Sequence, residues 1–311
     1  MTADDNYRLP VFSIPNKMKL KVLFLSALTI LIATTAMAQD LADEVDLFMG
    51  VHGNSNCVIG PQLPHGSVNP SPDTPKGGQK GYDENDKIRG FSQLHVSGIG
   101  WSRYGQILLS PQNGFSAKET GHDSPKANEI AKPYRYAVTL TRYGIRTELS
   151  PTHHGVFYRF TFNKPNNNNI LLDLRHNIPQ DIVPIVKGTF NGGEINYNEK
   201  QRLISGYGIY AGGFGSKQPY RVYFAMKIDD PNATVTITNN DTKALYAKIG
   251  VKAKTVNAII AISMSSVRNA TKYLEVELED HSFEQVCDAA RKQWNRTLGK
   301  IVISGANKEQ R

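Results

Sequence analysis

YRYAVTLTRYGIRTELSPTHHGVFYRFTF (Tyr134–Phe162) reads as three strands in a row. Tyr136, Val138 and Leu140 share one face of Tyr134–Arg142, Gly144–Pro151 follows a short turn, and Val156–Phe162 alternates again. Apolar residues recurring with a period of two mark a half-buried strand. The pattern continues outward. Ile170–Leu174 is a short buried run after the polar turn Asn166–Asn169. Further strand candidates are Ile182–Phe190, Glu194–Asn198, Leu203–Tyr210, Tyr220–Ile228, Thr234–Thr238, Ala244–Ile249 and Thr255–Ser263. NGGE (Asn191–Glu194), GGFGS (Gly212–Ser216), DDPN (Asp229–Asn232) and NND (Asn239–Asp241) supply turns between them. Many short strands separated by turn residues predict an all-β chain, a two-sheet antiparallel β-sandwich.

One helix stands out, late in the chain. Ser282 and Gln285 form an S-x-x-Q capping box, and Phe283, Val286, Ala290 and Trp294 then fall on one face with Cys287 beside it. Upstream, GFSQLHVSGIGWSRYGQILLSPQNG (Gly90–Gly114) reads as a strand–loop–strand unit. Phe91, Leu94 and Val96 are expected in its first strand, and Gln106–Ser110 in its second, which stops at Pro111. Gly98 and Gly100 give the loop its pivots and Trp101 sits on the bend. Two readings stand side by side: a platform for the apolar face of a sugar, or a hairpin whose Trp plugs the end of a β core.

Residues 1–38 stand outside the fold. Lys17, Lys19 and Lys21 precede the apolar run Val22–Ala33, and Ala36-Met37-Ala38 has the small-x-small form of a signal-peptidase site, so cleavage is expected before Gln39. Met18 makes a more ordinary start than Met1, and residues 1–17 are expected to be an upstream extension. About 270 residues remain, enough for one large β domain or two small ones; residues 39–281 are expected to form the sandwich and 282–311 the helix and its end. The net charge of +8 is spread along the chain without a basic block, which argues against a nucleic-acid partner. No second apolar run is long enough for a membrane anchor, so the expected location is periplasmic or extracellular. The two cysteines, Cys57 and Cys287, are permitted a disulfide by an oxidising compartment, but a domain this large does not need one.

The motifs in order are VDLFMG (Val45–Gly50), LPHGSVNPSPDT (Leu63–Thr74), GY (Gly81–Tyr82), IRGFSQLHVSGIG (Ile88–Gly100) and YGQILLSP (Tyr104–Pro111). This series resembles the amino-terminal part of glycoside hydrolase family 92, the calcium-dependent exo-acting α-mannosidases, with Leu47, His65 and Ile99 departing from the usual Pro, Phe and Thr. The resemblance implies a β-sandwich whose late helix bridges to a larger (α/α)6 barrel, expected to be missing from this chain. It places the acid, the base and the catalytic calcium in that barrel. No catalytic or metal-binding residue is therefore assigned here, and calcium is a cofactor of the complete enzyme only. The partners implied are α-mannoside glycans and the barrel.

The candidate sugar-binding residues are Trp101, His95, Gly98, Gly100 and Asn54, with Asn56 and Gln93 as further polar contacts. His95 matches the histidine before S-G-x-G, and its plainer role is to hydrogen-bond the glycine loop and fix its shape. Asp73 is expected to cap a turn, and Asp83, Glu84 and Asp86 to form a solvated one. His153 and His154 point to opposite faces of a strand and do not readily share a metal. Two functions remain open: half of an exported α-mannosidase, inactive alone, or a stand-alone secreted carbohydrate-binding sandwich. A split or interrupted reading frame beyond Arg311 is a third account of the chain. A stand-alone module should tuck the Phe283–Trp294 stripe onto its own sheet, whereas an orphaned half should leave it exposed.

Overall fold

The computed structural model describes residues 40–53, 55–98, 104–178, 188–212, 218–240, 244–301, 305 and 307. The chain divides into two compact units, Met1–Asp40 and Leu41–Arg311, and the fold described is that of the second. Its strands are β1 (Ser71–Asp73), β2 (Gly90–Ser92), β3 (Leu108–Asn113), β4 (Lys126–Lys132), β5 (Arg135–Leu140), β6 (Ile145–Pro151) and β7 (Gly155–Phe162). They continue as β8 (Asn168–Asp173), β9 (Thr189–Asn198), β10 (Leu203–Ala211), β11 (Tyr220–Ile228), β12 (Thr234–Asn240), β13 (Ala244–Val251) and β14 (Thr255–Ser263). Two antiparallel sheets result, ordered β1-β2-β3-β8-β13-β12 and β4-β5-β6-β7-β14-β11-β10-β9. The sandwich read from the sequence is the fold observed.

The core lies between the sheets. Phe91, Leu109, Ile170, Leu172, Ala247 and Ile249 from one face meet Tyr136, Val138, Tyr158, Phe160, Phe224 and Ile260 from the other, all buried. Alternate residues of the eight-stranded sheet, Phe157, Ala225, Ile259 and Ala261, point outward into a second apolar cluster. That cluster is completed by Ala270, Leu274, Leu278, Phe283 and Val286 from two helices. Burial on both faces explains why β14 reads as a near-continuous apolar run.

The helix Phe283–Leu298 begins with the expected capping box: Ser282 Oγ accepts from Gln285 N at 3.2 Å and Gln285 Oε1 from Ser282 N at 2.7 Å. Its stripe is tucked against its own sheet, with Phe283, Val286 and Ala290 buried. Trp294 donates its indole N–H to the Gln62 carbonyl at 2.6 Å. The helix Val267–Leu274, continued by a wide π turn Glu275–Glu279, was not anticipated. Its signals were Ser266 as N-cap and Ala270, Leu274 and Leu278 at a spacing of four.

Three local expectations need correction. The first strand of the glycine unit ends at Ser92, short of Leu94 and Val96. The buried Gln93 amide donates to the Phe91 and Ile107 carbonyls, at 3.3 and 3.1 Å, where a regular ladder would have continued. β3 runs through Pro111 to Asn113, because β2 pairs with it only at Leu109 and leaves that side open, where a missing N–H is tolerated. NGGE is not a turn but part of β9. Glycines let β9 and β10 approach closely: a Cβ at Gly206 would lie 1.9 Å from the Glu194 carbonyl oxygen.

Candidate functional site

Strand alternation puts Phe91, Leu109 and Leu172 in the core and turns Asp73, Ser92, Ser110 and Asp173 to the opposite face of the six-stranded sheet. The segments 74–89, 114–125 and 174–178 contribute further groups to this region. The result is a buried polar layer of Asp73, Arg89, Ser92, His95, Ser110, His122, Asp173 and His176.

Asp73, fully buried, sits at its centre. Its Oδ1 accepts from His95 Nε2 at 2.8 Å and its Oδ2 from His176 Nε2 at 3.1 Å. Burial alone would raise the Asp73 pKa, but the charge of His95 and the hydrogen bonds from both histidines outweigh it and hold the carboxyl far below the usual range. His176 is the converse. Burial disfavours its charge, yet Asp73 and Glu119 raise its pKa to about 9. Glu119, with His176 Nδ1 at 3.7 Å and Arg89 at 2.8 Å, is held down at about 2. Arg89 closes the chain by donating from Nε to Asp123 at 2.9 Å. His122 donates from Nδ1 to the Arg89 carbonyl at 2.8 Å, and burial pushes its pKa down.

The glycine loop stands on this layer. His95 Nδ1 donates to the Asn69 carbonyl and Asn69 Nδ2 returns a bond to the His95 carbonyl, at 2.8 and 3.0 Å. Gly98, with φ 78°, donates its N–H to the Asn56 carbonyl at 2.8 Å. Ser97 Oγ accepts from Val58 N at 3.2 Å. The two loops singled out from the sequence, around Asn56 and Gly98, are thus stitched together, and Ser97 and Gly98 are exposed above the buried His95. Asn54, Gly100 and Trp101 lie outside the described residues. Gln93 is no polar contact for a ligand: it is buried, and its Oε1 accepts from Tyr158 at 3.1 Å.

Asp73 does not merely cap a turn, because both its oxygens are taken by histidines. Asp83 and Asp86 do form the solvated turn expected of them, accepting from Asn85 N and Lys76 N at 2.8 Å. His154 bonds Glu277 at 2.6 Å and stacks on Tyr273. Cys57 and Cys287 are both free thiols. The sequence reading missed His176, Glu119, His122 and Arg89 as members of one cluster. The available signal was His176 shortly after the fully buried strand Asn168–Asp173, in LRHN.

The layer cannot perform glycoside hydrolysis. An inverting pair needs two carboxyl groups about 6.5–9.5 Å apart with sugar and water between them. Asp73 is sealed from solvent and Glu119 is tied to Arg89. Among the described residues no grouping of three or more His, Cys, Asp or Glu is arranged to hold a metal ion. What the layer can do is fix the base of the loop above it.

The family model for the glycosyl hydrolase family 92 N-terminal domain matches residues 44–272. No curated protein matches the chain. Among solved structures, a family GH92 α-mannosidase from Bacteroides thetaiotaomicron is similar, with a TM-score of 0.75 and 25% identity over 87% of this chain and 38% of that one. A GH92 family glycosyl hydrolase gives 0.71 at 22% identity over 85% of this chain and 38% of that one. A family GH92 inverting mannosidase, also from Bacteroides thetaiotaomicron, gives 0.68 at 24% identity over 86% of this chain and 37% of that one. These last two bear on the fold alone. The chain spans less than two fifths of the length of each of these structures. Sandwich, motif order and family model agree, and the chain belongs to glycoside hydrolase family 92, of which it carries the amino-terminal domain.

Proposed function

We propose that this chain is the amino-terminal domain of an exported α-mannosidase and that its glycine loop forms one wall of the pocket for an α-mannoside. The observation that carries this reading is the family match over residues 44–272, in a domain whose signature loop is exposed at Ser97 and Gly98 above a buried ionic base. Trp101 is assigned the pyranose face, by dispersion and CH–π contact. Asn54, Gly98 and Gly100 are assigned further contacts to the sugar, and His95 acts from beneath Gly98. Export follows from the leader Met18–Ala38.

Acid, base and calcium are assigned to a second domain. Calcium takes six to eight oxygen ligands, and the buried carboxylates here are committed elsewhere, Asp73 to two histidines and Asp173 to Arg175 at 2.6 and 2.9 Å. The described residues do not fit that ion, and no step in this domain runs through it. Residues 39–311 should therefore release no mannose from α-mannobiose, with or without added calcium. Turnover at an enzyme-like rate would overturn the proposal.

One observation favours a second reading, a stand-alone glycan-binding sandwich: the stripe of the helix Phe283–Leu298 is buried on its own sheet at Phe283, Val286 and Ala290. DNA sequence beyond the codon for Arg311 separates the two. A frame encoding a helical barrel supports the half-enzyme, and its absence supports the module.

A further inference from the structure

The buried chain His176–Asp73–His95, with the exposed Glu119 beside His176 at 3.7 Å, reaches the glycine loop at both ends. Asp73 Oδ1 holds His95 at the entrance and Oδ2 holds His176. Two residues beyond His176, the Ile178 N–H donates to the Tyr104 carbonyl at 3.0 Å, and Asn177 Oδ1 accepts from Gln106 Nε2 at 3.1 Å. Tyr104 and Gly105 form the exit, with φ of 76° and 83°. Gly105 in turn donates to the Leu94 carbonyl at 2.8 Å. Entrance and exit therefore hang on the two oxygens of one carboxylate. Gly81 closes in on the same pair: its φ is +81°, and a Cβ there would lie 2.8 Å from Asp73 Oδ1 and 3.1 Å from the His95 ring.

We propose that Asp73 is a positioning residue that sets the glycine loop, with His176 as a second anchor that makes the setting pH-dependent. The inference rests on the sugar-wall reading for its purpose but not for its test. The groups facing His176 are Asp73 from β1 and Glu119 from the segment before β4. His122 and Arg89 stand next in the layer, and Arg175 is engaged by Asp173. A protonated ring donates from Nε2 to Asp73 and carries its charge 3.7 Å from Glu119. A neutral ring can keep its N–H on Asp73 but loses the attraction of its charge for both carboxylates. With its pKa at about 9, His176 is charged against both through neutral pH, and the anchor weakens as that charge is lost.

The test is amide hydrogen exchange of the whole exported chain without sugar, corrected for intrinsic rates and read at Gly98, Gly105 and Ile178 between about pH 6 and 10. Protection at these amides should be flat below about pH 6.5 and fall about tenfold between there and about pH 9. Asp73→Asn and Gly81→Ala should lose roughly that protection already at neutral pH, with β14 amides unchanged as the control for the fold. His176→Gln keeps a donor where Nε2 stood but does not titrate, so it should abolish the pH step. A step that persists in His176→Gln, or a parent without one, overturns the proposal, and so does unchanged protection in a folded Asp73→Asn. Should the Asp73 and Gly81 variants fail to fold, parent against His176→Gln decides. Binding of α-methyl mannoside is measured separately, so a failed sugar wall and a failed latch remain distinct results.

Discussion

A carboxylate buried without partners takes up a proton, and Asp73 keeps its charge only because two histidines reach it. The linkage has a definite sign. His176 is raised from its ordinary 6.5 to about 9, so its contribution to stability is complete below pH 6.5, declines above it and is gone beyond about 9. That contribution is on the order of 3 kcal/mol at most. Asp73 is depressed, so its share is present above the ordinary carboxylate pKa and is lost in strong acid. Thermal unfolding followed between pH 6.5 and 9 should therefore show falling stability in the parent and a flatter profile in His176→Gln. Equal slopes would remove His176 from the account. At this scale His95 was legible as part of one local motif, although its ring bonds Asn69 and Asp73 and not the glycine loop expected for it. His176 was not legible, because its link to Asp73 spans 103 positions and leaves no local pattern.

Strands were the most readable elements, and the errors among them are physical. Tyr220–Ile228 and Thr255–Ser263 fall where alternation and turns placed them. β9 was broken in two by reading Gly192-Gly193 as a turn, whereas the glycines serve close strand approach. The helix Phe283–Leu298 was legible because capping box and apolar period agree over 16 residues, while Val267–Leu274 is only 8 residues long and its Ser266 cap lacks the reciprocal bond of a capping box. Two substitutions weigh these signals in denaturant unfolding of the domain. Ser282→Ala should cost about 1 kcal/mol through the lost cap. Phe283→Ala should cost about 3–5 kcal/mol, since the ring is buried edge-on to Phe157 with the Arg159 guanidinium over it. A silent Phe283→Ala would mean that the helix is detached from the sheet in solution.

In the domain Ser97 and Gly98 are exposed above a buried base, and affinity for a sugar distinguishes a wall from a pocket. Sites that bind small ligands well enclose most of the ligand surface, about 70–90% of it. A single wall leaves the far side of a pyranose in water, and its hydroxyls there gain nothing by binding. One aromatic face and a few rim hydrogen bonds must also offset the lost freedom of the sugar, so the net should not exceed about 4 kcal/mol, a Kd near or above 1 mM. Titration of residues 39–311 with α-methyl mannoside, followed by NMR, should therefore give a dissociation constant in the millimolar range or weaker. Trp101→Ala should abolish the shifts while leaving the β14 amides in place. A micromolar constant would demand a complete enclosure within this domain, and it would move the reading from half of an α-mannosidase to a free-standing glycan-binding module.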